Sequence, residues 1–288
     1  MTQSRAFKQV DVFTSIPFLG NPVAVVLDGA GLSDAEMLRF ANWTNLSETT
    51  FVIPATNPDA DYALRIWTPQ RELPFAGHPT LGTGFAVLEA GLAVAKAGRL
   101  VQQCEVGLVE LAVPDDWRSK GLSFRLPRYA KEAVPEQEAL AAGIGGAALI
   151  KGTPAILDVG PRWMIAELTS AAVVAALTPD LPALAAYDTA HGTTGLTVFA
   201  ETHDGQGGIL VRSFAPTDGL PEDPVCGSGN GAVAAFRLLG GVIGDGTAYI
   251  ARQGAAMRRD GFVRVQIKGQ DIHIGGACVT CIDGMARL

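Results

Sequence analysis

Leu64-Arg-Ile-Trp-Thr-Pro69 and Val211-Arg-Ser-Phe-Ala-Pro216 write one pattern twice. Each reads as a strand stopped by proline, which cannot continue a hydrogen-bonded ladder. Leu73-Pro74 follows the first and Leu220-Pro221 the second. Then come Pro74-Phe-Ala-Gly-His78 and Pro224-Val-Cys-Gly-Ser228, with Pro74 matching Pro224 and Gly77 matching Gly227. The difference in offset is absorbed by Glu222-Asp-Pro224. Both runs lead into a helix of small residues, over 80–90 and 229–239. Preserved order and spacing imply a duplicated domain.

The helix faces are small: Gly82, Gly84 and Ala86 in one, Gly229, Gly231, Ala232, Ala234 and Ala235 in the other. Strands can close tightly around such helices. The expected fold is α+β, two similar domains, each a rolled β-sheet around a central helix. The polar run 114–121 reads as the linker, dividing the chain into 1–117 and 118–288, with the last strand free to return to the N-terminal half.

The flanking sequence fits this plan. Val10, Val12, Val23 and Val25 mark two early strands joined through Pro17, Gly20 and Pro22. Ser33-Asp-Ala-Glu36 is a capping box ahead of a helix. Strands are expected at 49–53, 62–67, 99–104 and 108–113, then at 122–126, 156–159, 196–200 and 209–214. Short helices are expected near 135–142 and 170–177. Val263, Val265, Ile267, Ile272 and Ile274 form a final hairpin-like pair.

Of 288 residues, 48% are hydrophobic and 18% charged, enough apolar material for a large core. The net charge of -7 and the lack of Lys/Arg runs argue against nucleic acid as a partner. The N-terminus lacks the apolar run of a signal peptide, and no stretch approaches the roughly 20 apolar residues of a membrane span. A cytoplasmic protein without membrane contact is expected. Cys278 and Cys281 form a C-x-x-C with neither a second pair nor nearby histidines, and His78, His191, His203 and His273 show no ligand spacing. No metal site and no cofactor are expected.

A helix start presents unpaired N–H groups and partial positive charge. Gly77-His78 and Gly227-Ser228 are therefore candidate carboxylate sites. Facing each other across a cleft, they would grip a small anionic acid. Neither is a Walker loop, and no lysine follows the second.

Six segments carry a resemblance: Asp11-Val-Phe-Thr, Gly20-Asn-Pro-Val-Ala-Val-Val, Asn45-Leu-Ser-Glu-Thr-Thr-Phe-Val, Glu72-Leu-Pro-Phe-Ala-Gly-His-Pro-Thr-Leu-Gly, Glu222-Asp-Pro-Val-Cys-Gly-Ser and Arg252-Gln-Gly. Together they resemble the PhzF family of phenazine-biosynthesis isomerases, which has the diaminopimelate epimerase fold. The resemblance implies a cofactor-independent isomerase, shifting a proton within a small carboxylate-bearing metabolite, and a homodimer. Glu48 would be the acid/base. His78, Asp223 and Ser228 would position substrate and assist transfer. Backbone at Gly77 and Gly227 would hold the carboxylate, and Asn21, Gln253 and Gly254 would line the site. A carbon acid needs both a base and charge stabilisation, so the residue types suit the chemistry.

Cys226 departs from this pattern, which usually has a small non-thiol residue there. Racemases and epimerases of the same fold use a thiol on each face of the carbon, and the repeat places Ala76 where the partner would be. Three readings stand for Cys226: a buried small residue, a second acid/base opposite Glu48, or a bystander lining the pocket. An amino-acid racemase or epimerase using Cys226 with a carboxylate, and a non-catalytic acid-binding protein, are the alternatives to the isomerase.

Overall fold

The computed structural model describes residues 3–202 and 208–288. His203 lies outside them. The elements in chain order are β1 (Ser4–Val12), β2 (Asn21–Val26), α1 (Asp34–Thr44), β3 (Thr49–Ile53), β4 (Tyr62–Trp67), β5 (Glu72–Leu73), α2 (Gly77–Glu89), β6 (Arg99–Cys104), β7 (Gly107–Ala112), α3 (Trp117–Lys120) and β8 (Leu122–Arg125). They continue as β9 (Ala130–Ala133), α4 (Gln137–Gly143), β10 (Ile150–Asp158), β11 (Arg162–Leu168), α5 (Ala171–Ala176), α6 (Leu181–His191), β12 (Gly195–Glu201), β13 (Ile209–Ala215), β14 (Leu220–Asp223), α7 (Gly227–Leu239), β15 (Ala248–Gln253), β16 (Gly261–Lys268), β17 (Asp271–Gly276) and β18 (Cys278–Arg287).

The chain forms two compact units, Met1–Phe124 with Gly275–Leu288, and Arg125–Ile274. Their strand pairing is the same. In the first, β1 runs antiparallel to β2, β2 parallel to β3 and β3 antiparallel to β4. Strand β4 then takes β5 antiparallel and β6 parallel. In the second unit, β10 to β13 repeat that series, and β13 takes β14 antiparallel and β15 parallel. Helix α2 packs against β1, β2, β3 and β6, and α7 against β10, β11, β12 and β16. The α+β class and the central helix within each sheet are as expected.

The boundary differs from expectation. Trp117, in the polar run read as a linker, packs its ring edge-on against Phe85 of α2 at 5.3 Å. Leu122 and Phe124 are buried in the first unit, Phe124 paired with Leu111. The division therefore falls after residue 124 rather than 117. The last strand, β18, pairs along its length with β1 and belongs to the first unit. Polarity at 114–121 hid this, because the single half-buried ring that anchors the run is one apolar residue among polar ones. Helix α6 and strands β11 and β15 were missed: α6 is hydrophobic nearly all round, and the two strands lack clean alternation.

Local chemistry explains the ends of the outer helices. Ser33 and Glu36 complete their reciprocal capping box on α1, and Asn45 closes that helix in the left-handed conformation. Ser170 caps α5 and Asp180 caps α6.

Tight closure around α2 rests on absent side chains. A Cβ at Gly82 would lie 2.5 Å from Val23 Cγ1 and 2.9 Å from Val12 Cγ2, and one at Gly84 would lie 2.7 Å from Leu111 Cδ1. Around α7, a Cβ at Gly229 would lie 2.7 Å from both Ser213 Oγ and Thr197 Oγ1. Among the described residues no helix is long and apolar enough to cross a membrane.

Two predictions follow from this packing. Gly82→Ala should lower unfolding free energy by about 1–3 kcal/mol in denaturant titration, because overpacking outweighs the better helix propensity of alanine. Unchanged stability would mean that β1 and β2 yield. The second concerns Asp188, buried on α6, whose carboxyl is pushed up from 3.8 to about 6, chiefly by burial, against the hydroxyls of Thr193 and Thr217. A raised acid pKa means that the folded state holds the extra proton. Stability should therefore fall as pH rises from 3.8 to about 6 and then level off. Asp188→Asn should remove this slope, worth about 2–3 kcal/mol, from unfolding titrations across that window.

Candidate active site

Each unit assembles its own set of polar groups at the start of its central helix. In the first unit, Glu48 lies between α1 and β3, one residue before β3 begins. His78 is the second residue of α2. The sheet brings them together: His78 Nε2 stands 3.4 Å from Glu48 Oε2, with only 6% and 15% of the two side chains exposed. Neighbouring threonines fix the spacing. Thr50 and Thr83 share a buried hydroxyl contact of 2.8 Å, and Thr50 also donates to the Ala24 carbonyl. Tyr62 donates to Gln102, which donates to Thr80 in the first turn of α2. The start of α2 is thus tied to β2, β3 and β6.

Ala76, the N-cap of α2, provides no side-chain acceptor for the first turn. Gly77 is small for a packing reason: a Cβ there would lie 2.9 Å from the Phe124 ring. Asn21 is 1% exposed at the start of β2, opposite Val12.

In the second unit, Asp223 ends β14 and Cys226 caps α7. Asp223 Oδ1 accepts from Val225 N at 3.0 Å. Cys226 Sγ accepts from Gly229 N at 3.2 Å and lies 3.5 Å from Ser228 Oγ. Ser228 Oγ also accepts from Trp163 Nε1 at 3.0 Å. Burial first, then the charge of Asp223, pushes the Cys226 thiol well above its ordinary range. The thiol thus serves as the acceptor that caps the first turn of α7.

Gln253 braces the loop from inside. Its amide donates to the Asp223 carbonyl, and its Oε1 accepts from Cys226 N and Asn230 Nδ2. It is 2% exposed and ties the loop to the start of α7. Gly254 adopts φ +104, and a Cβ there would lie 2.7 Å from Pro224 O, so its glycine is a requirement of close packing. Gly227 opens α7 as a buried residue. Sequence reasoning missed Trp163 and Asn230, which lie 65 and 23 residues from their partners. Among the described residues, no group of three or more His, Cys, Asp or Glu side chains is arranged to hold a metal ion.

The structure also refines the repeat. Arg65 grips Glu72 with two hydrogen bonds, and Arg212 grips Glu222 likewise. Glu72 thus corresponds to Glu222, not Leu73-Pro74 to Leu220-Pro221. The pairs are 7 and 10 residues apart, and the surplus lies in the turn Pro216–Asp218 rather than at 222–224.

Comparison with known proteins agrees with this architecture. The family model for phenazine biosynthesis-like proteins, PhzC-PhzF, matches residues 10–284. The chain is 39% identical to Antisense-enhancing sequence 1 of Schizosaccharomyces pombe, over 97% of both chains. It is 36% identical to the trans-2,3-dihydro-3-hydroxyanthranilate isomerase of Pseudomonas aeruginosa, over 78% of this chain and 77% of the relative. A PhzF-family protein of Bacillus anthracis superposes with a TM-score of 0.88 at 24% identity, covering 99% of this chain and 100% of the other. A hydroxyproline epimerase of Agrobacterium vitis shares the fold, with a TM-score of 0.69 at 15% identity over 99% and 93% of the chains. The chain therefore belongs to the phenazine biosynthesis-like PhzC-PhzF family, among whose relatives are named isomerases.

Proposed function

We propose that this protein is a cofactor-independent isomerase that moves a proton between two carbons of a small carboxylate-bearing substrate, with Glu48 as acid/base. The observation that carries the reading is the 3.4 Å approach of the His78 imidazole to the Glu48 carboxylate in a nearly water-free setting at the start of α2. Burial strengthens electrostatic interactions and makes a carboxylate a better base toward carbon. As Glu48 accepts a proton from one carbon, charge develops on the substrate. His78 and the N–H groups opening α2 are donors of the right sign for it. Glu48 then returns the proton to another carbon.

Asp223 and Ser228 enter the proposal as the polar groups beside the start of α7, aiding proton transfer and substrate orientation. Support comes from their fixed geometry: Ser228 held by Trp163, and Asp223 held at its carboxylate and carbonyl. The same reading makes the protein a cytoplasmic homodimer.

Cys226 separates this reading from racemisation. A two-thiol mechanism needs a thiol in both units, and the first unit has Ala76 at the matching position. The raised thiol pKa and the bond from Gly229 support a structural cap.

The test substrate is trans-2,3-dihydro-3-hydroxyanthranilate, for which the relative is named. Glu48→Gln should lower kcat by about 10²–10⁴-fold while product affinity, read by calorimetry, stays within about threefold. A variant keeping more than a tenth of its activity would remove Glu48 from the chemistry. Cys226→Ser should retain kcat within about threefold, since serine also caps helices well. A loss matching that of Glu48→Gln would instead assign proton transfer to the thiol.

A further inference from the structure

The Arg–Glu forks do more than mark the repeat. Each arginine sits two residues before an aromatic on its strand and lies over that ring: Arg65 over Trp67 at 5.2 Å, Arg212 over Phe214 at 5.0 Å. Each also reaches the helical segment beside its strand. Arg65 donates to Asp34 in the first turn of α1, and Arg212 to the carbonyls of Val174 and Leu177 at the end of α5. The same three-part device thus recurs on the hairpin leading into each central helix.

In the second unit the device is buried. Arg212 is 9% exposed and makes two bonds to Glu222, at 2.9 and 2.7 Å, besides its two carbonyl bonds. Enclosing an ion pair is an expensive way to gain stability, because apolar residues of similar volume do as well or better. What the fork offers is geometry. Two parallel bonds to one carboxylate fix its orientation as well as its distance. Glu222 and Asp223 are adjacent on a strand, so their side chains leave opposite faces. Clamping Glu222 on one face sets the direction in which Asp223 leaves the other. The ladder alone sets it poorly, for β13 and β14 pair only at Ser213–Asp223 and Ala215–Leu220, with a register shift between. Gln253 fixes the Asp223 carbonyl and the Val225 N–H holds one carboxylate oxygen, but both act within the loop, and the fork is what ties the strand carrying them to β13.

We propose that Arg212 is a positioning residue for Asp223, acting through its fork to Glu222. The proposal rests on the isomerase reading for the importance of Asp223. Arg212→Lys keeps the charge and loses the fork. It should lower kcat on trans-2,3-dihydro-3-hydroxyanthranilate at least tenfold and shift KM less than threefold. In an Asp223→Asn background it should cause no further loss, because there is no carboxylate left to aim. Arg65→Lys, on the equivalent fork, is the control and should cost the same factor in both backgrounds. Where Arg212→Lys does not fold, Glu222→Gln serves in the same cycle.

A second readout needs no turnover. Alkylation of Cys226 by iodoacetamide, followed by peptide mass spectrometry, should be at least tenfold faster in Arg212→Lys, and unchanged in Arg65→Lys. Multiplicative losses of kcat, or equal Cys226 alkylation in all variants, would overturn the positioning role. If Asp223→Asn alone leaves kcat intact, the isomerase reading of Asp223 fails and takes this proposal with it. Faster alkylation would then show only that the fork holds the loop.

Discussion

The closeness of a helix to the strands around it governs this structure. Gly82 leaves room for Val23 and Val12, and Gly84 for Leu111 and Leu122. Without a Cβ at either place, the side chains of β1, β2, β7 and β8 close directly onto the backbone of α2. That seat decides where the helix begins relative to β3, and so whether His78 meets Glu48. The Thr50–Thr83 contact then locks the distance. A site residue outside the helix and one at its start are brought together by residues that never touch a substrate. The second unit uses Gly229 in the same manner, over Ser213 and Thr197.

Duplication explains the scaffold, and divergence at a few positions explains the chemistry. Both units keep the arginine fork, the mixed strand order and the glycine at the helix start. They differ at the residues that follow: Ala76 and His78 in one, Cys226 and Ser228 in the other. The first unit thus has no thiol at the position matching Cys226, and the Cys226 thiol is engaged as a cap. The two helix starts therefore offer different groups.

Much of this was legible in the residues. The proline-ended strands and small-residue helices stood out because glycine and proline carry specific backbone requirements. The capping box of α1 was legible because it is local. What stayed hidden was long-range. Trp117 disguises a packed segment as a linker. Trp163 reaches Ser228 across 65 residues. Arg65 and Arg212 were in view as matched positions, yet their partners were not, because three added residues shift Glu222 out of simple register. Gly77, Gln253 and Gly254 were singled out from the sequence, but the close packing of the two glycines and the bracing by Gln253 depend on contacts distant in sequence.

The central claim is that Glu48 takes a proton from carbon and returns it to another carbon. It is tested most directly by turning over trans-2,3-dihydro-3-hydroxyanthranilate in deuterated water and locating the label in the product by NMR and mass spectrometry. A carboxylate base that exchanges with solvent between the two transfers leaves deuterium at the newly protonated carbon, and the account predicts that label in the wild type and its loss in Glu48→Gln. Conversion and carbon labelling that survive at the wild-type rate in Glu48→Gln would contradict it.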